Sequence, residues 1–321
     1  MRLTTLLLLF SAALTAQPSL FDALYTQGDT AVISLSTEWK PLVRKKKDKE
    51  YQPLTLTVNG YTLPGEVRTR GHMRLEVCRL PSLKVKLDKE MLTGLGYSAL
   101  NDLKVVLQCT NSSTGESYLR REKLMYDLYA LVSDFHHRTV PIRLINSEGD
   151  TLQGFLVESE EQLEQRYQAR IVESDRVSTG SLDKQTYISM CLFNYLILNT
   201  DWSVYNRHNV ECLRPDEGVA YLPIPYDFDY SGLVGTHYAV PHESMEILSV
   251  NHPKFLGRGI TLPELTTAAK LFLSREAEMR RLIESYPELD RRRRKFMLER
   301  LDDFLEELSD EKALTDLVDA R

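Results

Sequence analysis

The chain has 321 residues and a formal net charge of −6, from 40 basic and 46 acidic side chains. Apart from the runs at 44–49 and 291–295, which are interpreted as solvated surface, the basic residues are scattered among acidic ones. This balance argues against a nucleic-acid partner. The four cysteines show no CxxC spacing, which argues against a structural zinc site.

Residues 1–16 are predicted to form a secretory signal peptide. Arg2 precedes an apolar stretch at 6–10, and small residues follow it. The apolar stretch is shorter than the about 20 residues that a membrane-spanning helix needs. We therefore expect a secreted or periplasmic protein with no transmembrane anchor after signal removal.

Short alternating runs separated by turn signals dominate residues 31–107 and predict an antiparallel sheet. Asn59 and Gly60 are typical of a tight hairpin turn between two of these runs. From about Ser117 the apolar residues recur at helical spacing, so one helix is predicted to interrupt the strands. A further hairpin is predicted around residues 146–150.

The cysteines allow a disulfide if the chain is exported. Cys78 lies near one predicted strand and Cys109 ends another, so the two could be cross-strand neighbours. Cys191 falls in an apolar helical segment, where a free buried thiol is the commoner outcome.

After the last hairpin the chain is mostly helical. The segment 182–199 is apolar nearly all round and is predicted to be buried, whereas later segments are amphipathic. The order sheet, helix, sheet and helices predicts an α+β, bilobal protein-kinase-like fold. An N-terminal antiparallel β lobe with one helix would cover 17–158, a mainly helical C-terminal lobe would cover 159–321, and the hinge would lie close to Glu158.

Polar residues after the buried segment carry the functional prediction. Asp201 follows the most apolar helix, and a carboxylate held there would orient a substrate hydroxyl. Asn209 directly precedes an apolar run and is the preferred metal ligand. Asn206 stays an alternative ligand, because its spacing from Asp201 is that of the protein-kinase catalytic loop.

Asp227 and Asp229 flank Phe228 after an apolar run with two prolines. In a strand both carboxylates would point to one side and would repel each other unless a cation lay between them. The pattern therefore predicts Asp227 and Asp229 as ligands of a divalent metal, with Phe228 as a packing anchor. A turn rich in Asp and Gly is the alternative interpretation.

A cation for nucleotide phosphates is predicted on the N-terminal sheet. Lys84 and Lys86 alternate with apolar residues and so share one face of a strand. One of them is predicted to contact the phosphates and to pair with Glu122 on the helix. Three arginines could line the phosphate site instead: Arg68, Arg70 and Arg74.

Together these elements resemble the spore-coat CotH-type family of atypical protein kinases, over about residues 67–232. RTRGH with SLKVKL, LQGFLVESE, NTDW with HNV, and PIPYDFDYSG are similar to the family's motifs. The resemblance implies ATP, Mg²⁺ or Mn²⁺, and phosphoryl transfer to a protein Ser or Thr in the same extracytoplasmic compartment. It implies Asp201 as the catalytic carboxylate and Asn209 and Asp227 as metal ligands. Glu158 ends the matching hairpin and is expected beside the nucleotide.

Two other functions stay open. Residues 80–82 read Leu-Pro-Ser where the family has a Lys-Lys-Ser run, which favours a catalytically inactive kinase-like binding or assembly module at the cell surface. A metal-dependent hydrolase is the third hypothesis, because carboxylates with a histidine suit hydrolytic metal chemistry. Its residues would be Asp201, His208, Asp227 and Asp229.

Overall fold

The computed structural model describes residues 17–319. The signal peptide predicted over residues 1–16 lies outside these described residues and stays a prediction. None of the helices between residues 17 and 319 combines the length and the apolar character that crossing a membrane requires.

Seven strands close into a barrel in the order β1-β2-β3-β4-β5-β7-β6. β6 lies parallel to β1, with Ile33 opposite Leu144, and the other neighbouring pairs in the barrel are antiparallel. The hairpin predicted at Asn59 and Gly60 is confirmed: both residues have positive φ between β2 and β3. The barrel strands are β1 (Ala31–Ser36), β2 (Gln52–Val58), β3 (Tyr61–Arg70), β4 (Ser82–Leu87), β5 (Asp102–Leu107), β6 (Thr139–Asn146) and β7 (Thr151–Val157).

The barrel interior is filled by aliphatic side chains from all seven strands. On β4 the inward residues are Leu83, Val85 and Leu87, each at most 3% exposed. Burial of one such side chain stabilises the fold by about 1.5–3 kcal/mol. Since side chains alternate along a strand, Lys84 and Lys86 point out of the barrel, as the sequence predicted.

Helices and a second sheet complete the described fold. The second sheet has the order β10-β9-β8, with β8 (Ala169–Ile171), β9 (Val210–Pro215) and β10 (Leu222–Pro225). The helices are α1 (Leu20–Gln27), α2 (Trp39–Arg44), α3 (Met73–Val77), α4 (Lys89–Gly94), α5 (Ser113–Val132), α6 (Glu160–Tyr167), α7 (Lys184–Leu196), α8 (Leu262–Ser274), α9 (Glu276–Ser285), α10 (Arg291–Ser309) and α11 (Glu311–Asp319).

A second core joins the helices to the outer face of the barrel. α5 and α7 pack together with α8, α9 and α10, and Val106, Phe155 and Val157 of the barrel strands belong to the same cluster. α7 is buried along nearly its whole length, which confirms the burial predicted for this segment. The outer face of β5 therefore borders the helical part of the molecule.

The predicted bilobal kinase-like fold with an antiparallel N-terminal lobe is wrong. The parallel contact of β1 with β6 closes the sheet into a mixed barrel. This contact joins segments that lie about a hundred residues apart, so no local sequence pattern predicts it. The prediction of one helix in this region is also wrong, because α1 to α4 precede α5. These four helices have five to eight residues each, too few for a helical period to emerge.

The cysteines divide into one bonded pair and two free thiols. Cys78, directly after α3, forms a disulfide with Cys109, directly beyond β5. The pairing considered from the sequence is thereby confirmed. Cys191 on α7 and Cys212 on β9 are free and buried, as expected for Cys191.

Candidate active site

Asp201 lies in the loop that follows α7, and the loop is fixed by its own polar groups. Asn199 Oδ1 accepts a hydrogen bond from Asp201 N at 3.1 Å, and Asn199 O accepts one from Trp202 Nε1 at 3.2 Å. Trp202 is 8% exposed and belongs to the helical core. The backbone of Asp201 is therefore held in place, while its carboxylate stays about one-third exposed.

Asn209 and His208 both hydrogen-bond to Asp201. Asn209 Nδ2 donates to Asp201 O at 2.7 Å and to Asp201 Oδ2 at 3.0 Å, and His208 Nε2 lies 2.9 Å from Asp201 Oδ1. Asn206 is exposed in the turn between Ser203 and His208, whose backbones pair with each other. The structure thus brings Asn209, and not Asn206, to Asp201.

The segment of Asp227 is joined to Asn209 through the backbone. Tyr226 N donates to Asn209 O at 3.0 Å, and Asp227 N donates to Tyr126 Oη at 2.9 Å. Asp227 adopts left-handed φ and ψ of 60° and 63° and leads into a 3₁₀ turn. Phe228 is fully buried against Tyr126, which confirms it as a packing anchor. Because β10 ends at Pro225, the strand geometry considered for the two aspartates does not form.

Asp201 and Asp227 both raise the pKa values of His208 and Tyr230. The pKa of His208 is raised, mainly by its hydrogen bond to Asp201 and further by the charge of Asp227. Burial raises the pKa of Tyr230 to about 12, with further increments from Asp229, Asp201 and Asp227. The charges of both predicted carboxylates therefore affect His208 and Tyr230.

A buried acidic cluster lies beside this loop. Arg74 on α3 donates from Nη1 to Glu122 Oε2 at 2.8 Å and from Nη2 to Leu107 O at 2.6 Å. Arg74 Nη1 also lies 3.9 Å from Asp229 Oδ2, which accepts a hydrogen bond from Tyr238 Oη at 2.8 Å. The partner of Glu122 is thus Arg74, and the predicted pair between Glu122 and a lysine is not formed.

Two carboxyl groups of the acidic cluster lie in a setting that disfavours their ionisation. Burial raises the pKa of Glu122 to about 7, with Arg74 opposing the rise and Asp227 adding to it. Burial, Asp227 and Glu122 likewise raise the pKa of Asp229. Glu122 Oε1 is buried and has no hydrogen-bond partner within residues 17–319. Glu122 and Asp229 therefore tend to keep a proton, and a cation beside them would favour their ionised forms.

Two lysines stand side by side on the outer face of the barrel. Lys84 on β4 lies directly opposite Lys104 on β5. Lys84 Nζ is 2.7 Å from Asp102 Oδ2, and Lys104 Nζ is 2.5 Å from Glu160 Oε1 at the start of α6. Each lysine therefore has a carboxylate partner.

Lys104 is the site residue that sequence reasoning missed. Its side chain is 8% exposed, and burial lowers its pKa, although Glu160 opposes that shift. The pKa of Glu160 falls to about 2 because attraction to Lys104 outweighs partial burial. The contact thus favours charge on the more exposed Glu160, while burial disfavours charge on Lys104. The signal was present: one lysine interrupts a strand whose other residues are mostly apolar.

Arg70, the last residue of β3, acts electrostatically on both the acidic cluster and Lys104. Its charge lowers the pKa of Glu122 and also that of Lys104. Its backbone pairs with Ser82 of β4, but among the residues that the structure describes its side chain makes no hydrogen bond or ion pair. By contrast Lys86 Nζ lies over the Tyr51 ring, 5.4 Å from its centroid. Arg70 is therefore a charged group still able to accept an anionic partner.

Glu158 is engaged elsewhere. Its carboxylate is fully buried and accepts hydrogen bonds from Arg138 Nε at 3.1 Å, from Arg138 Nη2 at 2.8 Å and from Arg166 Nη2 at 2.6 Å. Both oxygens are occupied by these arginines, since the Arg138 backbone N–H also bonds to Oε2. This geometry favours a structural role in joining β7 to α6.

The site therefore combines the partly exposed Asp201 carboxylate, a buried acidic cluster and basic groups. No three His, Cys, Asp or Glu side chains within residues 17–319 are arranged to bind a metal. Asn209 adds an amide oxygen, since its Nδ2 is turned toward Asp201. Two open depressions of about 580 and 780 Å³ lie elsewhere, one beside α2 and one along α10.

Comparisons with known proteins find similar solved structures and no family. No protein-family model and no curated protein matches the chain. Among solved structures, a proinflammatory kinase of Helicobacter pylori, CtkA, is similar with a TM-score of 0.41 and 11% sequence identity. The match covers 73% of this chain and 90% of that chain. A similarity this low does not establish a shared fold or activity.

Proposed function

We propose that the chain is an exported kinase that transfers the γ-phosphate of ATP to a protein Ser or Thr hydroxyl with a divalent cation. The observation that carries the proposal is the double contact of Asn209. Its side chain bonds to Asp201, and its backbone carbonyl accepts from the residue before Asp227. Asn209 thereby connects the loop of Asp201 with the segment that leads into Asp227, and the proposal assigns to these three residues the hydroxyl-orienting carboxylate, the amide and the second carboxylate that phosphoryl transfer needs.

In this proposal Asp201 accepts the proton of the substrate hydroxyl. The hydroxyl oxygen forms a bond to the γ-phosphorus, the bond from that phosphorus to the bridging oxygen breaks, and ADP leaves. Asp201 suits this role because its carboxylate is partly exposed on a rigid loop. His208 and Asn209 each bond to one of its oxygens and so fix its orientation.

In this proposal Asn209 Oδ1 and the Asp227 carboxylate would hold a hard divalent cation, since Mg²⁺ or Mn²⁺ prefers such oxygen ligands. The charge of Asp227 raises the pKa of both Glu122 and Asp229, and this supports the assignment because a bound cation would favour the ionised carboxylates. When bound, the cation would neutralise charge on the phosphates.

Lys104 and Arg70 are the groups best suited to the nucleotide phosphates. Lys104 projects from β5 toward Glu160, and the charge of Arg70 affects both Lys104 and Glu122. Lys84, one of the two lysines predicted from the sequence, stands beside Lys104 on the next strand. Phosphate binding would replace the contact of Lys104 with Glu160. The Cys78–Cys109 disulfide supports an oxidising compartment outside the cytosol.

The proposal is tested by incubating the protein with γ-labelled ATP and Mn²⁺ or Mg²⁺, with dephosphorylated casein as a Ser and Thr acceptor. Label is expected on the protein itself or on casein, and Asp227→Asn is expected to abolish it. Asp29→Asn makes the same chemical change at an exposed position and serves as the matched control. Equal labelling by Asp227→Asn and the wild type would remove the proposed site.

A catalytically inactive binding module at the cell surface is the second candidate. The observation in its favour is that Lys84 and Lys104 are already neutralised by Asp102 and Glu160. Thermal unfolding with ATP and Mn²⁺ separates the two functions. ATP at 100 times its dissociation constant stabilises a binding protein by about 2.7 kcal/mol. A kinase is expected to show that shift together with labelling, whereas a module without nucleotide binding shows neither.

A further inference from the structure

The Cys78–Cys109 disulfide lies directly behind the acidic cluster. Cys78 N caps α3 by donating to Arg74 O at 3.0 Å, so the cystine is attached to the helix that carries Arg74. Leu80 N donates to Cys109 O at 3.0 Å, which joins the same loop to the end of β5. Leu107, two residues before Cys109, is the residue whose carbonyl accepts from Arg74 Nη2. The cystine therefore fixes both the donor and the acceptor of this contact.

The other side of the cystine contacts Tyr238. Cys78, Cys109 and Tyr238 form one buried cluster, with Tyr230 packed against it. The Tyr238 hydroxyl donates to Asp229 Oδ2 at 2.8 Å. Tyr238 lies in a long segment without regular helix or strand, between the 3₁₀ turn at Phe228–Tyr230 and α8. The cystine and the rings of Tyr230 and His237 are packing partners of the Tyr238 ring.

We propose that the cystine is a positioning element that holds Arg74 and Tyr238 in register against the two buried carboxylates of Glu122 and Asp229. The expected effect of the cystine on metal binding rests on the proposed function. Its positioning of Arg74 and Tyr238 depends only on the fold. Both sulfur-bearing residues are 1% exposed, so the cystine acts as a fixed clamp. Without it, the link between α3 and the Tyr238 segment would depend on the contacts of Asp229 with Arg74 and Tyr238.

The test compares the Cys78→Ser/Cys109→Ser variant with the wild type by amide hydrogen exchange. Exchange is expected to accelerate about tenfold or more at two separate segments, 73–78 and 229–238, while β8 to β10 stay unchanged. The Cys191→Ala/Cys212→Ala variant removes the two free buried thiols, keeps the cystine and serves as the matched control. Acceleration confined to 78–80 and 107–109, or spread evenly over the chain, would overturn the positioning role.

A second variant, Tyr238→Phe, tests the positioning role if the Cys78→Ser/Cys109→Ser variant fails to fold. Tyr238→Phe keeps the cystine and the ring and removes only the hydroxyl. Faster exchange is expected at 229–238 and not at 73–78, and no change at either segment would overturn the inference.

Metal binding is a measurement that a loss of stability alone would not change. The Mn²⁺ concentration for half-maximal ATP binding is expected to rise about tenfold in the serine pair and in Tyr238→Phe, and to rise no further when the changes are combined. Additive effects would show that the cystine does not act through Tyr238. If the wild type binds neither Mn²⁺ nor ATP, the proposed function fails, while the exchange experiment still decides the positioning role.

Discussion

The acidic and the basic sides of the candidate site differ in how their charges are compensated. On the acidic side, Glu122 pairs with Arg74, whose guanidinium also lies 3.9 Å from Asp229, and burial together with the charge of Asp227 raises the pKa of both carboxyl groups. One oxygen of Glu122 has no hydrogen-bond partner among the described residues. On the basic side, each of the paired lysines on β4 and β5 has its own carboxylate. The acidic side therefore tends to retain protons, whereas the basic side consists of compensated ion pairs.

Because of this difference, a ligand must meet different requirements on the acidic side and on the basic side. A cation entering the acidic side would displace the protons that Glu122 and Asp229 tend to keep, and would not have to compete with a carboxylate for a lysine. A phosphate entering the basic side must compete with Glu160 for Lys104. We infer that the cation contributes more than Lys104 to nucleotide affinity. Four experiments test the difference between the acidic and the basic side.

The largest effect is expected from Asp201→Asn. This change keeps the size of the side chain and removes the proton acceptor, so the rate of phosphoryl transfer should fall by about 10²–10⁴-fold. The affinity for ATP should stay unchanged, because Asp201 lies on the hydroxyl side of the site. Asp29→Asn is the control, and a rate within a few-fold of wild type would exclude Asp201 as the acceptor.

Arg74→Met should destabilise the fold by about 3–5 kcal/mol, because it leaves buried carboxylates without their cation. Urea denaturation measures this loss. Arg79→Met makes the same change at an exposed position five residues later and should cost far less. If Mn²⁺ restores part of the lost stability, the acidic side binds a cation; equal losses for both variants would show that the cluster needs no compensation.

Lys104→Met should weaken ATP binding by about 10–100-fold, the equivalent of one charge-assisted hydrogen bond. Isothermal titration with Mn²⁺ present measures the dissociation constant. Lys86→Met is the matched control on the same face, where the lysine lies over Tyr51. A larger effect from Lys86→Met would assign the phosphate contact to Lys86, one of the two lysines predicted from sequence.

The smallest effect concerns pH. The pKa of Glu122 is about 7 in the folded protein, above its ordinary value near 4.5. The folded state therefore keeps this proton while the unfolded state loses it, and the contribution of Glu122 to stability declines as pH rises from about 5 to about 8. Urea denaturation without metal should show this decline in wild type and less of it in Glu122→Gln. Identical slopes in Glu122→Gln and in the exposed control Glu90→Gln would exclude Glu122 as the source.

The features that could be predicted from the sequence are local ones. The buried helix, the hairpin at Asn59 and Gly60, and the contact of Asp201 with Asn209 each depend on residues within a short stretch. The disulfide was also within reach, because its cysteines flank predicted strands.

The features that could not be predicted depend on distant segments. Barrel closure needs β1 beside β6, and the choice of Arg74 over a lysine for Glu122 depends on how the short helix α3 packs under α5. Lys104 was visible as a lysine in an apolar strand. Its importance follows only from the position of Glu160, more than fifty residues later in the chain.

The most direct measurement is a crystal structure with Mn²⁺ and a non-hydrolysable ATP analogue, with the metal located by anomalous scattering. The account predicts a manganese peak between the Asn209 amide oxygen and the Asp227 carboxylate, with the γ-phosphate facing Asp201. Manganese and nucleotide bound elsewhere, or absent at saturating concentrations, would contradict it.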